Sequence, residues 1–215
     1  MRKALQNALL YGICDLGYLT RKQAIPVSRH LLKGGVGILQ LRAKGHDPAE
    51  LVSLAIELKD LCEEFGVPFV VNDHPEVARA SAAHGLHLGQ DDGSILSARE
   101  GLKEGVMIGR STHSLEQARI ALEEGADYIG FGPLFPTPTK KGRPGIGLEN
   151  ISQMEAEVGS YIPAFCIGGI KPENLGQVME AGARRLVIVS HLLTAGDPEA
   201  EAKHILKSLT QDLSK

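Results

Sequence analysis

The sequence predicts a (β/α)8 TIM barrel on three observations. Short apolar, β-branched runs alternate with longer segments of helical period along all 215 residues, and there are eight such runs. A helix-length interval separates each strand candidate from the next, as parallel strands joined by right-handed crossovers require. No composition break or low-complexity linker divides the chain, so residues 1–215 read as a single domain. Closing eight βα units gives the barrel, and this length lies near its short end. An open doubly wound sheet is the alternative. No GxGxxG opens a first helix, which counts against it.

The strand candidates are residues 10–14, 37–42, 68–72, 85–88, 107–110, 128–131, 164–167 and 185–189. Amphipathic segments lie between them, clearest at 48–65, 114–124, 172–181 and 198–213. Asp47-Pro48 and Asp197-Pro198 each place a capping carboxylate before a proline at the first helical position. Gly66, Gly105, Gly125 and Gly182 each end a helical run ahead of a strand. The longest irregular stretch, 132–147, is rich in Gly, Pro, Thr and Lys, and connections of that length usually serve function.

Composition narrows the classes. Aromatics are 4% of the chain and Trp is absent, so Leu, Ile, Val and Ala are expected to do most of the packing. A formal charge of −3 gives no bulk basic surface for nucleic acid or anionic membranes, so any anion site must be local. Cys14, Cys62 and Cys166 are widely spaced, with no CxxC or zinc spacing, and read as reduced structural thiols. The first ten residues carry no long apolar stretch or cleavage signature, and no run approaches a membrane span, so a cytoplasmic protein is expected.

In this fold chemistry sits at the C-terminal ends of the strands. The second strand runs Val36-Gly37-Ile38-Leu39-Gln40-Leu41-Arg42-Ala43-Lys44. Its period of two puts Val36, Ile38, Gln40, Arg42 and Lys44 on one face, which turns from apolar to basic toward the strand end. Arg42 offers a planar fork and Lys44 a point charge, both suited to phosphate. A solvated rim held by a local carboxylate would look the same on this strand alone.

The third strand ends in Asn72-Asp73, and the fourth is followed by Gly89-Gln90-Asp91-Asp92. Two carboxylates at neighbouring strand ends, opposite a basic one, suggest Mg2+ bridging to a diphosphate. Turn or cap aspartates are the plainer reading, above all for Asp91. Gly168-Gly169 and Val189-Ser190 end the seventh and eighth strands, where this fold recurrently binds phosphate. The sixth loop, with Thr137, Thr139, Lys140 and Lys141 among prolines and glycines, suits a lid over an anion. His87 and His113 read as packing residues, and no Ser-His-Asp or Cys-His set is present.

Taken in order, these pieces resemble the thiamine phosphate synthase family. The matching motifs are Gln40-Leu41-Arg42-Ala43-Lys44, Asn72-Asp73, His87-Leu88-Gly89-Gln90-Asp91-Asp92, Gly109-Arg110-Ser111-Thr112-His113, Gly130-Phe131-Gly132-Pro133 through Thr137-Pro138-Thr139-Lys140, Ile167-Gly168-Gly169-Ile170 and Val189-Ser190. The resemblance implies loss of pyrophosphate from a hydroxymethylpyrimidine diphosphate and capture of the methylene carbon by the nitrogen of a thiazole phosphate. It implies that Gln40, Arg42, Lys44, Asn72 and Lys140 hold the diphosphate and that Asp73 and Asp92 bind Mg2+. Ser111 would contact the pyrimidine, with Ser111, Lys140 and Arg42 closest to the chemistry. Thr137 and Thr139 would face the thiazole, and Gly169, Val189 and Ser190 its phosphate. The pyrimidine would leave as a stabilised cation, so no strong base is needed.

The chain departs from the family pattern at Ala43, where many members have Glu, at Arg110, where a small apolar residue is common, and at His191, where a small residue is usual. Arg110 and the surroundings of His113 are similar to the related thiazole tautomerases. Those carry His where this chain has Pro133 and lack the full aspartate and lid set, which favours the synthase. A non-catalytic phosphate-binding barrel is the reading from another class; a pure binder of the product would not need Asp73, Asp92 and Lys140 together. Expected partners are small-molecule substrates, without nucleic acid or membrane, and homo-oligomerisation is left open.

Overall fold

The computed structural model describes residues 1–137 and 144–212. Its elements are α1 (Arg2–Asn7), β1 (Leu10–Asp15), α2 (Arg21–Lys33), β2 (Ile38–Arg42), α3 (Pro48–Glu64), β3 (Phe69–Asn72), α4 (Pro75–Ala80), β4 (Gly85–Leu88), α5 (Ile95–Glu100), β5 (Met107–Thr112), α6 (Leu115–Glu123), β6 (Tyr128–Phe131), α7 (Ile151–Met154, continued by a π-helical turn at Glu155–Gly159), β7 (Ala164–Ile167), α8 (Pro172–Glu180), β8 (Leu186–Ile188), α9 (Ser190–Leu193) and α10 (Pro198–Asp212). All eight strands pair in parallel in sequence order, and β8 closes on β1 through Tyr11 opposite Val187. The barrel is therefore closed, and the open-sheet alternative falls.

The two helices that follow an Asp-Pro pair, α3 and α10, begin as their sequences require. Asp47 accepts a hydrogen bond from the N–H of Ala49 (2.9 Å), and Asp197 from that of Ala200 (3.0 Å). Each satisfies a donor the first helical turn would otherwise leave open.

Two cores result. The outer one, between strands and helices, is mostly aliphatic and runs around the barrel through residues such as Leu39, Leu54, Leu58, Ile108 and Ile205. Cys14, Cys62 and Cys166 lie buried in it as free thiols, and burial pushes the Cys14 thiol up to about 11. The lumen differs. Tyr11, Tyr128 and Phe165 meet there, with Phe165 edge-on to both tyrosines at centroid distances of 5.3 and 6.1 Å. Aliphatics still make up most of both clusters, as composition suggested, but the lumen gathers three of the chain's few rings among Ile13, Ile38, Val70 and Val187.

Leu5 of α1 and Ala8 pack into this inner cluster, so the N-terminal segment caps it. Val36 joins the outer core instead. The inward alternation of the second strand begins at Ile38, not at Val36 as its period suggested.

No helix among the described residues is long and apolar enough to cross a membrane.

Candidate active site

The lumen rings form the floor of a cleft of about 720 Å³ at the C-terminal ends of the strands. Tyr11 donates from its hydroxyl to Gln40 Oε1 (2.8 Å) and lies 3.1 Å from the Tyr128 hydroxyl. Gln40 Nε2 donates to Asn72 Oδ1 (3.3 Å). On the other side His87 Nδ1 is 3.2 Å from the Tyr128 hydroxyl, and His87 Nε2 is 2.9 Å from Ser111 Oγ. One polar chain therefore runs from Asn72 across the floor to Ser111. Burial drives both tyrosine hydroxyls well above their ordinary titration range, so they stay protonated.

Above the floor, Arg42, Lys44 and Asp73 line the same cleft. Arg42 donates to Asp15 (2.7 Å), whose carboxylate is 1% exposed and also accepts from the N–H of Gly17. The carboxylate holding this arginine is thus the last residue of β1, and it aims the guanidinium while leaving the fork on the cleft wall. Lys44 lies 3.3 Å from Asp73. The basic strand end is consequently beside the carboxylates rather than opposite them.

Asp73 and Asp92 share a hydrogen bond. Burial lifts the Asp73 carboxyl above its usual range, and the bond to Asp92 adds to the rise. For Asp92 burial alone would also raise it. The hydrogen bonds from Asp73 and from the N–H of Gly89 (2.7 Å), with the charges of Lys44 and Arg110, outweigh burial and hold it low. Of the two, Asp73 is the one that takes up a proton more readily. Among the described residues no cluster of three or more His, Cys, Asp or Glu forms a ready metal cage. Two hard carboxylate oxygens in contact instead fit a cation such as Mg2+, which takes the rest of its shell from water and substrate phosphate.

A second lobe of about 460 Å³ adjoins the first. Pro133, Thr137, Gly168, Gly169, Ile170 and Ser190 line it, and Ile167, Val187 and Val189 form a wall common to both lobes. The glycines here serve close packing. Both have positive φ (104° and 65°), and a Cβ on Gly168 would stand 2.4 Å from Pro133, one on Gly169 2.7 Å from Phe135. This permits the N–H of Leu134 to reach Ile167 O (2.8 Å) and that of Phe135 to reach Gly168 O (3.1 Å). The returning limb is pinned as well, through Ile146 to Pro133 O and Gly147 to Leu134 O. The outgoing limb of the sixth loop is thus stitched to the end of β7 and the returning limb to the outgoing one, and Thr137 lines the second lobe. Thr139 and Lys140 lie outside the described residues.

A family model described as thiamine monophosphate synthase matches residues 10–192. The chain belongs to this family. It is 45% identical over 178 residues to a thiamine-phosphate synthase of Thermus thermophilus, covering 83% of this chain and 85% of that one. With a Bacillus cereus thiamine-phosphate synthase the identity is 41% over 196 residues, 89% of each. Among solved structures, a thiamine phosphate pyrophosphorylase from Pyrococcus furiosus superposes with a TM-score of 0.86 at 32% identity, covering 99% of this chain and 98% of that one.

For this thiamine monophosphate synthase family member, the fold gathers Gln40, Arg42, Lys44, Asn72, Asp73 and Ser111 in the first lobe and Thr137, Gly169 and Ser190 in the second, with Val189 between them. Asp92 joins through Asp73. Sequence reasoning missed Asp15, Tyr11 and Tyr128, and read His87 as packing when it borders the cleft. Strand parity was the available signal: with Leu86 and Leu88 in the outer core, His87 must face inward. Ala43 turns into the outer core, so its departure from the family pattern leaves the cleft unchanged. His191 points to α10, 2.8 Å from Glu201.

Proposed function

We propose that this chain is a transferase that joins a hydroxymethylpyrimidine diphosphate to a thiazole phosphate, giving thiamine phosphate and pyrophosphate. The observation that carries this reading is the pair of lobes with a common apolar wall. One lobe is basic and carboxylate-lined, the other is built from glycine, serine and threonine. Two phosphorylated halves held on either side would meet at that wall, and relatives named thiamine-phosphate synthase at 45% and 41% identity support it.

In this reading Gln40, Arg42, Lys44, Asn72 and Lys140 hold the diphosphate, and Ser111 meets the pyrimidine ring. Gly169, Val189 and Ser190 seat the thiazole phosphate, with Thr137 and Thr139 beside the ring. Asp73 and Asp92 would hold Mg2+, which when bound would supply neutralising charge for pyrophosphate. The carbon–oxygen bond breaks with its electron pair leaving on pyrophosphate, and the thiazole nitrogen pair forms the new carbon–nitrogen bond. Arg42 and Lys140 stabilise the developing charge, the largest contribution such a site can make. No step requires a strong base. The substrates are small molecules, and we place the reaction in the cytoplasm, in keeping with three buried, unpaired thiols.

The test mixes the purified protein with both substrates, with and without Mg2+. Thiamine phosphate and pyrophosphate in equal amounts are expected only with the metal. Pyrophosphate release without thiamine phosphate would overturn the coupling, and no turnover would leave a binding protein. Lys140→Ala should lower turnover about 100-fold, the order for a lost donor to transition-state charge.

A further inference from the structure

Arg110 stands out as a buried charged residue near the end of β5. Its neighbour Ser111 lines the cleft, so strand alternation turns Arg110 to the outer face of β5. There the residue is 7% exposed, and Nη1 donates to two carbonyls, Gly89 O (2.7 Å) and Gly93 O (2.9 Å). These carbonyls are the two ends of the β4–α5 loop, whose centre carries Asp92. Nη2 lies 3.7 Å from Glu124 on the far side. From the inner side the same loop is held by Gln90 Nε2, which donates to Ser111 O (2.6 Å), and by Asp92, which accepts from the N–H of Gly89.

We propose that Arg110 is a positioning residue: by closing both ends of the 89–93 loop from behind, it fixes the Asp92 carboxylate against Asp73. It touches neither substrate nor metal. An apolar side chain here could donate to neither carbonyl, and the loop would lose its outer clamp. Lysine would keep the charge, but its ammonium on a flexible stem lacks the planar group that fixes Nη1 between both carbonyls while Nη2 faces Glu124. The inference rests on the reading of Asp73 and Asp92 as the metal carboxylates.

The experiment measures Mn2+ binding in the presence of pyrophosphate, from the electron paramagnetic resonance signal of free Mn2+, for the parent chain, Arg110→Met and Asp92→Asn. Thiazole phosphate binding and amide exchange of residues 89–93 are followed alongside. Arg110→Met should weaken Mn2+ binding by about 10-fold, the size of effect found for partners that orient metal ligands. It should also speed exchange at the loop and leave thiazole phosphate binding unchanged. Parent-like Mn2+ affinity in Arg110→Met with loss in Asp92→Asn overturns the role of Arg110 and spares the metal site. Parent-like affinity in both overturns the metal site, and this role with it. Equal loss at both lobes overturns positioning in favour of general loosening. Should Arg110→Met not fold, Arg110→Lys is read in its place. A weakening of about threefold is then expected, and parent-like affinity overturns the role.

Discussion

His87 Nε2 lies 2.9 Å from Ser111 Oγ, and its other ring nitrogen faces the Tyr128 hydroxyl, so the serine proposed to meet the pyrimidine is held in place from the barrel floor. His87→Phe would keep a ring beside Tyr128 while removing both contacts. Turnover is expected to fall about 10-fold or more as the Ser111 hydroxyl loses its orientation. Stability should fall by about 1–3 kcal/mol as buried polar groups lose partners. Steady-state kinetics and urea unfolding check the two effects, and unchanged turnover in a destabilised variant would reduce His87 to packing.

The neighbouring aspartates at 91 and 92 give an internal control. Both are exposed, but Asp92 contacts Asp73 and the N–H of Gly89. Asp92→Asn preserves shape and the Gly89 bond while removing charge. The Mg2+ concentration for half-maximal rate should rise about 10-fold or more for Asp92→Asn and less than about threefold for Asp91→Asn. Titrating the rate against Mg2+ decides it, and equal shifts would undo the choice of Asp92.

Gly169→Ala tests the stitching of the sixth loop. The position has φ of 65°, and the added methyl would meet Phe135 Cβ at 2.7 Å and Pro136 O at 3.0 Å. Left-handed backbone costs a residue with Cβ about 1–2 kcal/mol before any displacement. The loop root must also shift, and Thr137 with it. KM for the thiazole phosphate should rise several-fold, while that for the pyrimidine diphosphate stays near the parent value. Both constants moving together would mean the two lobes are not independent.

Gly109→Ala should disrupt the barrel floor. A Cβ there would stand 2.1 Å from Tyr128 Cζ, and that ring is fully enclosed between Tyr11, His87 and Phe165. Overpacking of this kind costs about 1–3 kcal/mol or more. Pairing it with Tyr128→Leu should recover part of the loss by making room. Denaturant midpoints of the single and double variants measure this, and a strictly additive pair would mean the ring is not the obstacle.

The strands were legible because a parallel barrel buries both faces, which leaves continuous β-branched runs between amphipathic helices. Parity then read correctly from Ile38 to Lys44, because β2 alternates without interruption up to the mouth. Reading stopped where the deciding contact joins distant segments. Nothing near Arg42 announces Asp15, which ends the preceding strand. Nothing near Gly109 announces the Tyr128 ring that requires it. The glycines at 168 and 169 were legible as special, but not their close packing against the sixth loop, which the sequence around them does not announce. Lumen aromatics were hidden by composition, which reports how few there are and not where they gather.

The wall of Ile167, Val187 and Val189 has a consequence for the outcome of the proposed reaction. Once pyrophosphate departs, the pyrimidine carbon can be taken by the thiazole nitrogen or by solvent, and solvent is present at far higher concentration. Three hydrocarbon side chains offer water nothing to bind, so the contest is settled by who can occupy the gap. In that sense the fidelity of coupling, as distinct from its speed, is assigned to the least reactive atoms in the cleft.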